Sequence, residues 1–379
     1  MANPGPGITP RLYTMPTEIT AHIASLLHVN ELDGVTRASR VCRLLFGPRM
    51  FCRIAIAGCE KELSEDLHML AQTSVSSNCG IDIRNWIRYL QIHLEFRVPP
   101  SFRRSVWSRA LDSRSNHSAV VEELPQQIIS AIRSISNLKS LVLDLHFLSK
   151  EMMSAFLKLS DAMDLTIPEL RIAAPDELME LIIEHFDFQA LHVFNYPCPD
   201  RYAQSVTHLS RLKRLHVTVN LDSGSRPMDA GFLRKVNEDF EHLQWLVICE
   251  NRSTSNDDDY NFFEEFEASI EDFVCAMKNF QNLKRFAFTI WKSEMDLVLV
   301  PTNHEHDSDL ADIHLKNWVL ALATHMGEAL PKLEELCIML EYPELIRCTR
   351  DQDGVPMDAK WMYYGKVKPI TGFPFDILE

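Results

Sequence analysis

The 379 residues are 46% hydrophobic and 24% charged, ordinary globular proportions that exclude wholesale disorder and leave room for two or three domains. Lys and Arg number 38 against 53 Asp and Glu, and the net charge of −15 argues against a nucleic-acid binder, whose affinity would come largely from neutralising phosphates. Only 12 residues are Gly, under half the usual share of about 7%, which works against phosphate-cradling folds whose turns need the backbone close to a ligand.

The stretch Met1–Pro10 has neither the positive nor the apolar region of a secretory signal. No apolar run approaches the roughly 18 residues that a membrane span requires, and Asp376-Ile377-Leu378-Glu379 is no prenylation motif. The cysteines are odd in number, 9, lie in apolar segments and include no C-x-x-C pair, as reduced buried thiols would. The expectation is a soluble protein of the cytoplasm or nucleus, with no membrane partner.

Ile19, Ile23, Leu26 and Leu27 fall on one face of a short helix introduced by Pro16 and Thr17. A second helix is predicted from Asn30 as N-cap, with Asp33 three residues on. Its apolar positions Leu32, Val35 and Ala38 continue into Val41, Cys42 and Leu45 across a break at Ser39-Arg40, until Gly47-Pro48 is expected to stop it. Gly34 weakens that helix by roughly 1 kcal/mol relative to Ala. About 40 residues of helix are too few for a self-sufficient core, so this unit needs a partner surface.

The order Met15-Pro16-x-Glu18-Ile19, Ile23, Leu27, Glu31-Leu32, Ala38-Ser39-Arg40-Val41-Cys42-Arg43 and Pro48-x-Met50-Phe51-x-x-Ile54 resembles an F-box. The resemblance implies a three-helix module that docks on the Skp-type adaptor, and through it a cullin, of a Skp-cullin-F-box ubiquitin ligase. Carried over position by position, the adaptor-facing residues would be Met15, Pro16, Ile19, Ile23, Leu27, Leu32, Val41 and Cys42. The plainer alternative is that these apolar positions cap the domain that follows.

Beyond residue 80 a pattern of polar, Leu, polar, any, Leu or Phe, any, apolar recurs at Asn137 to Leu143, Arg211 to Val217, His242 to Ile248, Asn282 to Phe288 and Lys332 to Ile338. Looser copies lie at Tyr89 to Ile92, Glu169 to Ile172 and Ala190 to Val193. Between Leu141, Leu170, Leu191, Leu215, Leu246, Phe286 and Leu336 the steps are 29, 21, 24, 31, 40 and 50 residues. The first three suit a repeat of about 20 to 29 residues, and the later ones suit the same unit with insertions. Helical stretches precede most copies: Glu122 to Ser136, Ser149 to Ala162, Asp176 to Phe186, Met228 to Phe240, Phe262 to Phe280 and Asp309 to Ala329.

Alternating helix and short strand predicts an α/β fold with parallel strands and outer helices. It resembles the degenerate leucine-rich repeats that often follow an F-box; the rival is a globular α/β domain whose strands end alike. The expected organisation is an adaptor-binding module over 14–57, a connector over 58–80, an irregular repeat solenoid over 81–342 and a capping tail over 343–379. Residues between the buried strand positions point the other way, which nominates Lys139, Asp144, Arg214, His216, Thr218, Gln244, Arg285, Ala287 and Glu335 as surface contacts.

Acids cluster without a base between Arg252 and Lys278 and between Lys292 and Lys316, as solvated insertions or as a lure for a basic partner. Arg97, Arg103, Arg104, Arg109 and Arg114 surround Phe102 and Trp107 in a pattern that suits an amphipathic surface helix. His304-Glu305-His306-Asp307 lacks zinc-site spacing, and neither a nucleophile elbow nor a P-loop occurs. No cofactor, metal or intrinsic catalysis is expected. Taken together, the resemblance implies a non-catalytic receptor subunit that tethers an unidentified protein substrate; the alternative is a ligase-independent scaffold on the same repeats.

Overall fold

Short segments with apolar residues at every second position, each separated from the next by an amphipathic stretch, have the periods of strand and helix in turn. In the computed structural model they form a mixed α/β fold. The structure describes residues 15–76, 82–95, 118–159, 163–194, 211–220, 230–251, 266–290, 308–340, 344–350, 358–363 and 373–374. Two compact units divide the chain, Met1–Met163 and Asp164–Glu379. Among the described residues no helix is long and apolar enough to cross a membrane.

The first unit opens with three helices, α1 (Thr17–Leu26), α2 (Val29–Ala38) and α3 (Arg40–Met50). Helix α2 starts one residue before Asn30, so Asn30 lies inside it; the Glu31 carboxylate accepts the His28 backbone N–H at 2.8 Å and closes that end. Ser39 caps α3, its hydroxyl accepting the Cys42 N–H at 3.1 Å. The helix then runs through Gly47-Pro48 to Met50 instead of stopping there. The reason Gly stands at 47 is packing: a Cβ there would lie 2.5 Å from Cζ3 of Trp86, whose ring also stacks on Phe51.

Strand β1 (Arg53–Gly58) follows at once, then α4 (Glu60–Ser76), a 3-10 turn (Ile83–Asn85), β2 (Tyr89–Leu94), α5 (Ser118–Ser134), β3 (Ser140–Asp144) and α6 (Lys150–Leu157). The stretch 58–80, taken from sequence as a connector, therefore contains a helix that packs on β1 and α5 and buries Leu63 and Leu67 completely. Strands β1, β2 and β3 are parallel and in register, aligning Ile54 with Leu90 and Leu141, and Ile56 with Ile92 and Leu143.

The second unit contains β4 (Leu165–Thr166), β5 (Glu169–Ala173), α7 (Asp176–His185), β6 (Phe186–Asp187), β7 (Ala190–Val193), β8 (Arg214–Asn220), α8 (Ala230–Asp239), β9 (Trp245–Asn251), α9 (Ile270–Met277), β10 (Arg285–Thr289), α10 (Ser308–Ala329), β11 (Glu335–Met339), β12 (Glu344–Thr349) and β13 (Asp358–Tyr363). Its main sheet has the order β5-β7-β8-β9-β10-β11-β12-β13. The strands are parallel as far as β11, after which β12 and β13 return antiparallel.

The sequence repeat is also a repeat of register. Leu170, Leu191, Leu215, Leu246, Phe286 and Leu336 are mutual cross-strand partners, as are Ile172, Val193, Val217, Ile248, Phe288 and Ile338, and every one is buried. Helix α9 covers this face, with the Phe273 ring against Phe286 and Phe288. The backbone repeats too. A carbonyl just before each strand accepts two successive N–H groups of the next repeat at 2.7–3.1 Å: Cys52 and Arg88 in the first unit, then Pro168, Gln189, Lys213, Gln244 and Lys284 in the second. Each shared carbonyl fixes where the next strand enters, which holds the register despite insertions of different length.

Candidate functional site

Helices α1, α2 and α3 enclose a core of Ala24, Leu32 and Phe46, with Ile23, Leu27, Val35, Cys42, Leu45 and Met50 packed around it. Leu32 is only 1% exposed, so of the residues matched to the adaptor face it shapes the module from inside. Pro16 is exposed at the start of α1, where its carbonyl accepts both the N–H and the hydroxyl of Thr20. Met15, Ile23, Leu27 and Cys42 are partly covered.

Apolar surface is left over in this module: of the eight large hydrophobic residues that stay exposed among the described ones, four lie on α1 and α3. Ile19 is 49% exposed and Leu26 72% on α1, and Val41 is 41% and Leu44 47% on α3, a helix packed against α1. Ile19 and Leu26 are about two turns apart on one side of α1, and Val41 and Leu44 about one turn apart on α3. Thr20 and Ala24 take the buried side of α1 instead, small residues that allow close helix contact. Leu26 and Leu44 are absent from the motif-matched set. Helical periodicity marked Leu26 as part of an apolar face, while only packing shows which part of that face is left open.

In the same unit, Asp144 ends β3 between two imidazoles, with His93 Nδ1 at 2.6 Å and His146 Nδ1 at 2.8 Å. Its carboxylate is thus occupied internally. Lys139 is exposed.

In the second unit the remaining nominated strand residues part company. Arg214, Thr218, Gln244 and Arg285 are partly exposed, but His216, Ala287 and Glu335 are buried, contrary to the surface role expected from strand alternation. Alternation predicts which side a residue faces, not whether that side meets water. Here that side has a second apolar cluster of Val247, Ala287, Cys337, Met339, Leu345 and Phe373, with Trp245 packed against it.

Polar residues surround that cluster. Trp245 lies between the Arg214 guanidinium at 5.1 Å and that of Arg285 at 4.3 Å, with the Phe373 ring edge-on. The buried Glu335 carboxylate holds Arg347 at 2.6 Å and Arg285 at 3.4 Å. Cys337 points its thiol at the same carboxylate, and burial together with that charge pushes the thiol well above its ordinary range. Arg214 also reaches Glu169 at 3.7 Å.

His192 and His216 stack with ring centroids 3.7 Å apart, and His216 Nε2 lies 3.0 Å from the Cys249 sulfur. Neither ring nitrogen of His192 has a hydrogen-bond partner. Burial, reinforced by the Arg171 charge, lowers His216 to about 3 and His192 far below its ordinary value, so both are neutral.

Among the described residues no group of three or more His, Cys, Asp and Glu is arranged to hold a metal. The stretches Arg97 to Arg114, Asp257 to Asp259 and His304 to Asp307 lie outside the described residues. Comparison with protein-family models and with curated proteins finds no match to this chain.

Proposed function

We propose that the chain is the substrate-recognition subunit of a Skp-cullin-F-box ubiquitin ligase, an F-box module followed by an irregular leucine-rich-repeat solenoid. In this reading α1 and α3 hold the Skp-type adaptor while the repeat strands hold a target protein, and the transfer chemistry resides in other subunits. The chain then accelerates transfer by proximity alone. One observation carries the proposal: Ile19, Leu26, Val41 and Leu44 stay exposed although the module's own core is already filled. Covering them would contribute on the order of 1–2 kcal/mol each, since about half of most of these side chains is already out of water. The in-register repetition of Leu and apolar positions supports the solenoid half of the reading.

The test is capture of a purified Skp-type adaptor by the full chain and by the double variant Ile19→Asp, Val41→Asp. Both positions are surface ones, so the fold should survive, as circular dichroism would report. Loss of capture in the double variant, with capture kept by Phe147→Asp, is the expected result; Phe147 is an exposed aromatic outside the three helices. Equal capture by wild type and double variant, or none by wild type, overturns the proposal.

A further inference from the structure

Although the chain as a whole is strongly acidic, one sheet face of the second unit is not. Five cations share the face of Trp245: Arg171 on β5, Arg214 on β8, Arg285 on β10, Arg347 on β12 and Lys360 on β13. By register three acids share it with them, Glu169, Glu335 and Asp358, of which Glu169 and Glu335 are buried and paired with arginines. The Arg214, Arg285 and Arg347 side chains are 23%, 26% and 35% exposed, so their guanidinium groups are neither sealed in nor waving in solvent.

In the sheet order β5-β7-β8-β9-β10-β11-β12 the four arginines occupy every second strand, Arg214 and Arg285 at the register of Trp245 and Arg171 and Arg347 two residues along the strands at the register of Val247. Neighbouring strands are about 4.8 Å apart, so successive arginine-bearing strands are about 9.6 Å apart. An extended polyproline-type chain advances about 3.1 Å per residue with three residues per turn, and so presents one side chain to the same face about every 9.3 Å. Trp245, whose ring is flanked by the Arg214 and Arg285 guanidinium groups and met edge-on by Phe373, holds these two arginines in one row across the strands.

We propose that this arginine face docks an extended acidic peptide that crosses the strands and carries a carboxylate at every third residue. Arginine forks suit carboxylates, and the buried Glu335 braces Arg285 and Arg347 so that little side-chain freedom is lost when a ligand arrives. The inference rests on the receptor reading only in naming such a peptide a substrate; the binding itself is independent of what covers α1 and α3.

Fluorescence anisotropy with the full chain, in the absence of any adaptor, tests it. The probe is a labelled twelve-residue peptide with Glu at every third position; the competitors are its Gln counterpart, an isomer with the same Glu residues in one block, and a single-stranded oligonucleotide of equal charge. The expected result is binding to the spaced acidic peptide that weakens as salt rises. It should be at least tenfold tighter than for the Gln peptide and the block isomer, and should fall about tenfold with Arg347→Gln. Because removing one partner of Glu335 risks misfolding, the paired variant Arg285→Gln, Glu335→Gln, which deletes the charge and its counter-charge together, is measured alongside, with circular dichroism to confirm the fold. Absence of binding up to about 1 mM, equal affinity for the Gln or block peptide, unchanged affinity in both variants, or tighter binding of the oligonucleotide overturns the proposal. Adaptor capture is untouched by these outcomes, so failure here and failure of the receptor reading are separable.

Discussion

Gly47 and Gly34 show how differently one residue type acts within a single small module. A methyl at position 47 meets the Trp86 ring at 2.5 Å, whereas one at position 34 meets nothing within 4 Å. Gly47→Val is therefore expected to cost about 1–3 kcal/mol through overpacking, and Gly34→Ala to add up to about 1 kcal/mol through helix propensity. Urea titration of each variant would read out both signs. The stacked histidines give a second consequence at this scale. His216 titrates near 6.5 unfolded and at about 3 folded, and His192 is displaced the same way. A depressed folded value means that stability is full above pH about 6.5 and is lost as pH falls from there toward about 3. For His216 alone the loss is about 2 kcal/mol near pH 5. Replacing His192 with Phe removes one of the two groups and should flatten the dependence of the unfolding midpoint on pH between about 6.5 and 4; an unchanged slope would show that other groups control it.

At the scale of the element, helix α3 depends on how it starts. Its Ser39 hydroxyl satisfies the Cys42 N–H, and the same helix carries Val41 and Leu44. Ser39→Ala should cost about 1 kcal/mol and loosen the turn that presents Val41, which thermal unfolding and amide exchange at Val41 and Cys42 would detect. A strand, by contrast, depends little on its own length. Strand β7, Ala190–Val193, makes only four cross-strand pairs on each side, yet Leu191 and Val193 sit in ladders running from β5 to β11. The shared carbonyl at each repeat explains why steps as unequal as 21 and 50 residues leave the ladder in register.

For the molecule as a whole, the end of the parallel array is the point of greatest exposure to mispairing. Strand β11 is paired on its outer edge by β12, and β12 by β13, while Phe373 packs on Trp245. Truncation after Leu340 would strip the pairing from an apolar strand and leave Glu335 without Arg347. The truncated chain should aggregate at concentrations where the full chain is monodisperse, as light scattering would show. Charge is also distributed by region. The segment Met1 to Ile56 has six Arg against three acids, and the sheet face of Trp245 gathers arginines, in a chain whose net charge is −15.

The repeated Leu and apolar positions determined by themselves where the strands lie, because a buried strand face demands apolar residues two apart whatever surrounds it. The later apolar positions of all eight copies lie on strands, while the first three residues of the five full copies form the approach to the strand, and β1, β12 and β13 match no copy. The same local logic located the first helix and a second helical stretch broken at Ser39-Arg40, which in the structure is the boundary between α2 and α3. What lay beyond the sequence was every property that depends on contacts far apart along the chain. Gly47 looked like a helix stop until Trp86 was seen against it, and residues 58–80 looked like a connector until α4 was seen packed on β1. His216, Ala287 and Glu335 faced the expected side but were covered there. Leu32 proved to be core, while Leu26 and Leu44 stood open to solvent. Alternation is a short-range property of the backbone, whereas exposure depends on what else the chain brings to that face, and only the tertiary structure decides that.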